Sequence, residues 1–177
     1  MDMVLIRSMS DSGDGLSGED LQTALYEHRE FLDSGGDGGY FEGLEVAGMP
    51  LNVYMGNGSR GTQLVMRMKK FNSGTDLSNQ NLAYSELSGM FGEGVNFRGA
   101  LLDGSHMTYS FFAGADFTGA SLVGADLTGC DLRGASFRDA DLTDTDFEIA
   151  NCEGADFTGA ILDDTKFPGT NLTDIKR

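Results

Sequence analysis

The sequence predicts a mainly β protein: a four-sided β-helix of about five coils over the last hundred residues, preceded by a small α+β region. Three observations lead there. From Leu77 to Leu172 a large residue recurs at every fifth position, and Gly92 alone breaks the row outright. Like side chains recur at twenty: Phe97, Phe117, Phe137 and Phe157 form one series, and Leu82, Leu102, Leu122, Leu142 and Leu162 another. Residues 1–71 lack that period and carry one helical stripe and three short apolar runs instead.

In chain order, residues 8–18 are Ser-, Gly- and Asp-rich and read as a polar loop. Ser17 then suits an N-cap, with Glu19 and Asp20 in the first turn of a helix over 19–33. Its apolar stripe is Leu21, Ala24, Leu25, His28, Phe31 and Leu32, and Ser34-Gly35-Gly36 ends it. His28 has no histidine or cysteine placed locally to assist it, so a partly buried structural role is the reading. Strands are expected over Phe41–Val46, Leu51–Met55 and Thr62–Phe71, with Gly48-Met49-Pro50 and 56–61 as turns. Gly56-Asn57-Gly58 lacks the Lys, the Ser/Thr and the helix of a phosphate loop and reads as a hairpin turn. The boundary between an α+β capping region (1–71) and the repeat region (72–177) follows.

A period of five fits neither the 3.6 of a helix nor the 2.0 of a strand. It needs a chain that turns a corner once per repeat, and four repeats close one square coil. Residues twenty apart then stack at the strand spacing of ~4.8 Å, for a rod ~24 Å long. Two residues before each large one sits a small one, such as Ala115, Ala125 or Ala135; Gln80, Met90 and Val95 are exceptions. Both point inward. Glycines such as Gly99, Gly119 and Gly129 fall at the corners, where unusual dihedrals are needed. Cys130 holds a small slot and Cys152 a large one, so both read as buried thiols acting as small hydrophobes.

Stretches such as Ala115-Asp116-Phe117-Thr118-Gly119 and Ala125-Asp126-Leu127-Thr128-Gly129 resemble the pentapeptide-repeat family, over roughly residues 73–175. The resemblance implies a right-handed quadrilateral β-helix.

Lys and Arg total 12 against 28 acidic residues, a net charge of −16. No basic block is available for phosphate contacts, so direct nucleic-acid binding is not expected. The charge reads either as solubility or as an acidic face for a basic partner. No signal peptide or membrane-length apolar run is read, which points to a cytoplasmic protein. No catalytic motif, metal-ligand set or cofactor fingerprint is found, so the expectation is a non-enzymatic protein with no catalytic, metal or cofactor residues.

Two sets of outward residues are candidate sites. Phe91, Leu101, Tyr109 and Phe111 are large apolar side chains in the first two coils, a patch for docking the preceding region or a protein partner. Asp76, Glu86, Asp116, Asp126, Asp141, Asp146 and Asp156 are the candidate acidic face. Stacked carboxylates ~5 Å apart repel, so each row is expected to show raised pKa values, a nearby base or a cation. The functional expectation is a binding or scaffold module, a monomer or weak dimer. The alternative comes from one branch of the family, the gyrase-protection proteins. It implies an acidic DNA mimic that binds a type II topoisomerase (DNA gyrase) and inhibits it or protects it from drugs.

Overall fold

In the computed structural model, the residues described are Phe71 and 75–177, the strands Tyr40–Val46 and Met49–Met55, and five helical positions: Gln22, Thr23, Leu25, Tyr26 and Arg29. The strand expected over 62–70, His28, the loop of 8–18 and the glycine turn of 56–61 lie outside these. The five helical positions fall within the helix expected over 19–33, and Leu25 on its apolar stripe packs against the core of the repeat region. Arg29 lies 5.4 Å over the Tyr26 ring.

Strands β1 (Tyr40–Val46) and β2 (Met49–Met55) pair antiparallel, from Tyr40↔Met55 to Val46↔Met49. The sequence placed Met49 and Pro50 in the turn; the structure places both in β2, with Pro50 opposite Glu45, and leaves only residues 47 and 48 to connect the strands. Proline is tolerated there because each strand of a two-stranded sheet has a free edge.

From residue 75 onward the chain is a β-solenoid. Parallel bridges join each outward residue to the one twenty positions later, from Asp76↔Asn96 to Asp156↔Lys176. A turn falls in every fifth-residue interval, so each circuit has four sides. Neighbouring coils exchange backbone hydrogen bonds on both edges of a side: the Leu127 N–H donates to the Asp146 carbonyl at 2.8 Å and the Asp146 N–H to the Ala125 carbonyl at 3.0 Å. Backbone polarity is thereby satisfied at the tube wall, which frees the interior for apolar side chains.

Corners are defined by their backbone: most are turns closed by an i to i+3 bond, such as the Ala100 N–H to the Phe97 carbonyl at 3.0 Å, while the Met90 N–H donates instead to Ser110 Oγ at 3.0 Å. The third residue of the turn has positive φ, for example 62° at Gly99, the type II requirement. The outward residue caps the same turn. Asp126 Oδ1 accepts the Thr128 N–H at 2.9 Å, and Asp146 Oδ1 accepts the Glu148 N–H at 2.8 Å. This is why Asp or Asn recurs just before the large residue: the carboxylate or amide oxygen satisfies a turn N–H that no coil neighbour reaches.

Inside, Phe97, Phe117 and Phe137 stack at 4.9 and 5.0 Å between centroids, and Phe157 continues the ladder at 5.1 Å. Phe112 and Phe147 meet this ladder edge-on from neighbouring sides, at 5.6 Å to Phe97 and 5.5 Å to Phe137. Such pairs contribute roughly 0.5–1.5 kcal/mol each beyond their burial. Leu82, Leu102, Leu122 and Leu142 are fully buried, while Leu162, next in that series, is 37 % exposed because the described residues place no coil over it.

The break at Gly92 has a packing reason. A Cβ there would lie 2.6 Å from Phe112 Cε1 and 3.2 Å from Phe71 Cδ2, so these two rings take the missing side chain's space. Met90, in the small slot of the same pentad, is itself fully buried. Phe71 is 3 % exposed, and its N–H donates to the Phe91 carbonyl at 2.8 Å. In the regular pattern that carbonyl would serve residue 72, as the Phe111 carbonyl serves Gly92. Phe71 therefore fills a large slot one residue out of register, and it belongs to the core of the solenoid.

Candidate functional site

The bridges sort the outward residues into four walls. The first carries Asp76, Asn96, Asp116, Ser136, Asp156 and Lys176; the second Asn81, Leu101, Ser121, Asp141 and Ile161. The third carries Glu86, His106, Asp126, Asp146 and Lys166; the fourth Phe91, Phe111, Asp131, Asn151 and Asn171.

The seven acidic candidates are divided among three of these walls. Asp76, Asp116 and Asp156 share the first, Asp141 stands on the second, and Asp126 and Asp146 share the third. Glu86, also on the third, is only 3 % exposed and accepts the Ser88 N–H at 3.1 Å, so it adds nothing to an open acidic surface. No single face collects them.

The expected repulsion along the rows is answered by bases and by turn N–H groups. Arg98 pairs with Asp116 at 3.1 Å and Arg138 with Asp156 at 3.1 Å. Lys176 lies 3.9 Å from Asp156 and Lys166 lies 4.0 Å from Asp146. Where carboxyl pKa values move, they move down. Hydrogen bonds from Thr158, side chain and backbone, and then the Arg138 guanidinium hold Asp156 at about 2. Burial alone would raise Asp116, but Thr118 and Arg98 together bring it below the usual carboxylate value. The Ser78 N–H lowers Asp76. Asp131, not among the sequence candidates, is lowered by a fork from Arg133, whose Nε and Nη2 reach its two oxygens at 2.8 and 2.6 Å. Raised pKa values were the wrong branch of the expectation. The Asx-turn signatures of Asp116-Phe117-Thr118, Asp131-Leu132-Arg133 and Asp156-Phe157-Thr158 pointed to the lowering found at these three.

The apolar candidates also separate. Phe91 and Phe111 stack outside the fourth wall, with centroids 4.9 Å apart and planes within 4°. They are 45 % and 47 % exposed. Tyr109, 61 % exposed, occupies the adjoining corner. Leu101 stands half a coil from both phenylalanines, on the opposite wall. Ile149 and Ile161, exposed on the corner below Tyr109 and on the second wall, were not singled out by the sequence.

Cys130 and Cys152 are both free and buried, and burial pushes both thiols up to about 12. Cys130 Sγ donates to the Met107 carbonyl at 2.9 Å. Such thiols carry almost no thiolate at neutral pH. Among the described residues no group of three His, Cys, Asp or Glu side chains is placed to hold a metal ion, and no helix is long and apolar enough to cross a membrane. What the arrangement offers is side-chain grids on rigid walls, one of them aromatic.

Residues 94–134 and 135–174 match the model of pentapeptide repeats, in eight copies. No curated protein matches the chain. Among solved structures the chain is similar to HetL, a pentapeptide repeat protein involved in heterocyst differentiation regulation from the cyanobacterium Nostoc sp. strain PCC 7120. The identity is 25 %, the TM-score 0.41, and the match covers 63 % of this chain and 59 % of that one. A pentapeptide repeat protein of the Arabidopsis thaliana thylakoid lumen is 36 % identical with a TM-score of 0.25, over 60 % of this chain and 63 % of that one. Full-length QnrB1, a plasmid-mediated fluoroquinolone resistance protein, is 22 % identical with a TM-score of 0.36, over 63 % of this chain and 74 % of that one. The chain thus spans about three fifths of the length of the first two.

Proposed function

Residues 94–174 of this chain belong to the pentapeptide-repeat family, and from that premise we propose that the protein is a non-enzymatic binding module, of five right-handed coils, that holds a partner protein against its walls. It works in the cytoplasm as a monomer or weak dimer. The observation that carries this reading is the Phe91–Phe111 stack. Both rings remain nearly half exposed, although Asn151 and Asn171 occupy the same outward slot two and three coils on. The fold does not need an aromatic residue there, and exposed rings of this kind mark protein contacts.

The test replaces Phe111 with the photoreactive p-benzoylphenylalanine in cells of the native host, with the same replacement at Ser136 on the first wall as control. One discrete cross-linked protein from position 111 and none from 136 is expected. No discrete product from either position, nor from Leu101 on the second wall or Asp126 on the third, overturns the reading.

A second reading is an acidic mimic of duplex DNA that binds DNA gyrase. The net charge of −16, the stacked Asp126 and Asp146 of the third wall and the alternate-coil carboxylates Asp76, Asp116 and Asp156 of the first favour it. Arg98, Arg138, Lys166 and Lys176 interrupt those walls and pair with their acids, which weighs for the first reading. A gyrase supercoiling assay with and without a fluoroquinolone separates the two. Salt-sensitive inhibition or drug protection at micromolar protein supports mimicry; no effect removes it.

A further inference from the structure

We propose that the helix carrying Leu25 is seated over the N-terminal end of the tube and across the third wall at Glu86, closing that end and leaving the fourth wall to an outside partner.

The four outward residues of the first coil are unequal. Asp76, Asn81 and Phe91 are exposed, as outward slots of a solenoid are, but Glu86 on the third wall is 3 % exposed. His106, its neighbour one coil on in the same wall, is exposed again. The cover over Glu86 therefore lies on the N-terminal side and ends before the second coil. In a single chain it comes from the residues that precede the first coil.

The inside of the tube agrees. Leu77, Leu82 and Leu87 of the first coil are at most 1 % exposed, whereas Leu162 of the last is 37 % exposed. Among the described residues before the first coil, Phe71 and Leu25 reach this core. Phe71 fills the space beside Gly92, on the fourth side. Leu25 is left for the sides that Phe71 does not close.

The helix is also turned the right way. Gln22, Thr23, Tyr26 and Arg29 are exposed and Leu25 is half-buried. At helical spacing the four exposed positions fall opposite the stripe of the sequence to which Leu25 belongs. Length accounts for the wall. At 1.5 Å per residue a helix over 19–33 is ~22 Å long. One side of five residues spans less than ~17 Å. A helix of that length laid over the tube end overhangs an edge, and Glu86 marks the third wall as the edge it overhangs. Covered in this way, the first coil offers no open strand edge to another chain.

The experiment has two arms, both on the full chain. In the first, p-benzoylphenylalanine replaces Ser88, the half-buried corner residue beside Glu86, or, separately, Phe91. Irradiation and peptide mapping are expected to give an intrachain link from position 88 into residues 19–33, and none into that segment from position 91. A link from 88 into β1 or β2, no intrachain link from 88, or a link from 91 into 19–33 overturns the proposal.

In the second arm, hydrogen exchange is compared between wild type, Leu25→Ala and Tyr26→Ala. The amides of Leu77, Leu82 and Leu87, which donate to the second coil, are expected to exchange about tenfold faster in Leu25→Ala and unchanged in Tyr26→Ala. The amides of Leu127 and Leu132 report that the central coils stay folded in each variant. Equal first-coil exchange in wild type and Leu25→Ala overturns the proposal, as does an equal increase in both variants.

Discussion

Tyr109 lies over Gly129, one coil on, so closely that a Cβ added to Gly129 would come within 2.6 Å of Tyr109 Cδ1. The same relationship joins Tyr84 to Gly104 and Asn79 to Gly99. At a corner, a side chain on one coil uses the space that a glycine leaves on the next, and the glycine is fixed both by its positive φ and by its neighbour.

Gly129→Ala should therefore cost more than Gly114→Ala. Both glycines have φ near 67–68°, but nothing lies within 4 Å of the Cβ position at Gly114. The left-handed backbone alone costs an alanine roughly 1–2 kcal/mol. Gly114→Ala should show that loss in urea unfolding, and Gly129→Ala about 1 kcal/mol more from displacing the ring. Equal losses would mean that the Tyr109 ring moves away freely.

Ile149 is the least comfortable residue in the solenoid backbone. It is β-branched, has φ of 51°, and is 55 % exposed at a corner where Gly129 and Gly169 stand one coil either side. Ile149→Gly should raise stability by about 1 kcal/mol, since relief of left-handed strain exceeds the loss of a mostly solvated side chain. The urea midpoint reads this directly, and a fall would show that its contact with Gly169 outweighs the strain.

Serines in the small slots should diverge. Ser110 Oγ accepts the Met90 N–H at 3.0 Å and donates to the Leu87 carbonyl at 2.8 Å, spanning the turn above it. Ser105 Oγ is buried with no hydrogen-bond partner. Ser110→Ala should destabilise by roughly 1–3 kcal/mol and Ser105→Ala should stabilise by about 1 kcal/mol, both read from thermal unfolding. Ala125 already fills the slot stacked on Ser105, so the substitution fits.

Acid should weaken the fold through Asp156. Its folded pKa is about 2, below the ordinary 3.8, so its stabilising contribution is complete above about pH 4 and is lost as pH falls toward 2. Asp156→Asn keeps the turn cap, as Asn96 does on the same wall, and removes the pairs to Arg138 and Lys176. The variant should be less stable than the wild type at pH 7, and the two curves should converge near pH 2. Parallel curves across that range would show that the carboxylate contributes only its turn bond.

The solenoid was legible because its period is a property of sequence. A large residue every fifth position and like residues every twentieth leave one geometry that stacks Phe97 on Phe117 and caps each turn with Asp or Asn. The walls followed by counting, which is why Phe91 and Phe111 stand together outside the first two coils, where the sequence put them.

What counting does not supply is decided in three dimensions. Phe71 enters the core one residue out of register, because the space beside Gly92 has the volume of a ring. Glu86 is outward by register and buried in fact. The carboxyl groups of Asp116 and Asp156 are held below the usual carboxylate value, because turn N–H groups and arginines from the neighbouring coil reach them at hydrogen-bond distance. Register is a periodic quantity that one chain carries along its length. Volume, exposure and charge pairing depend on which coils meet, and the tertiary structure alone decides them.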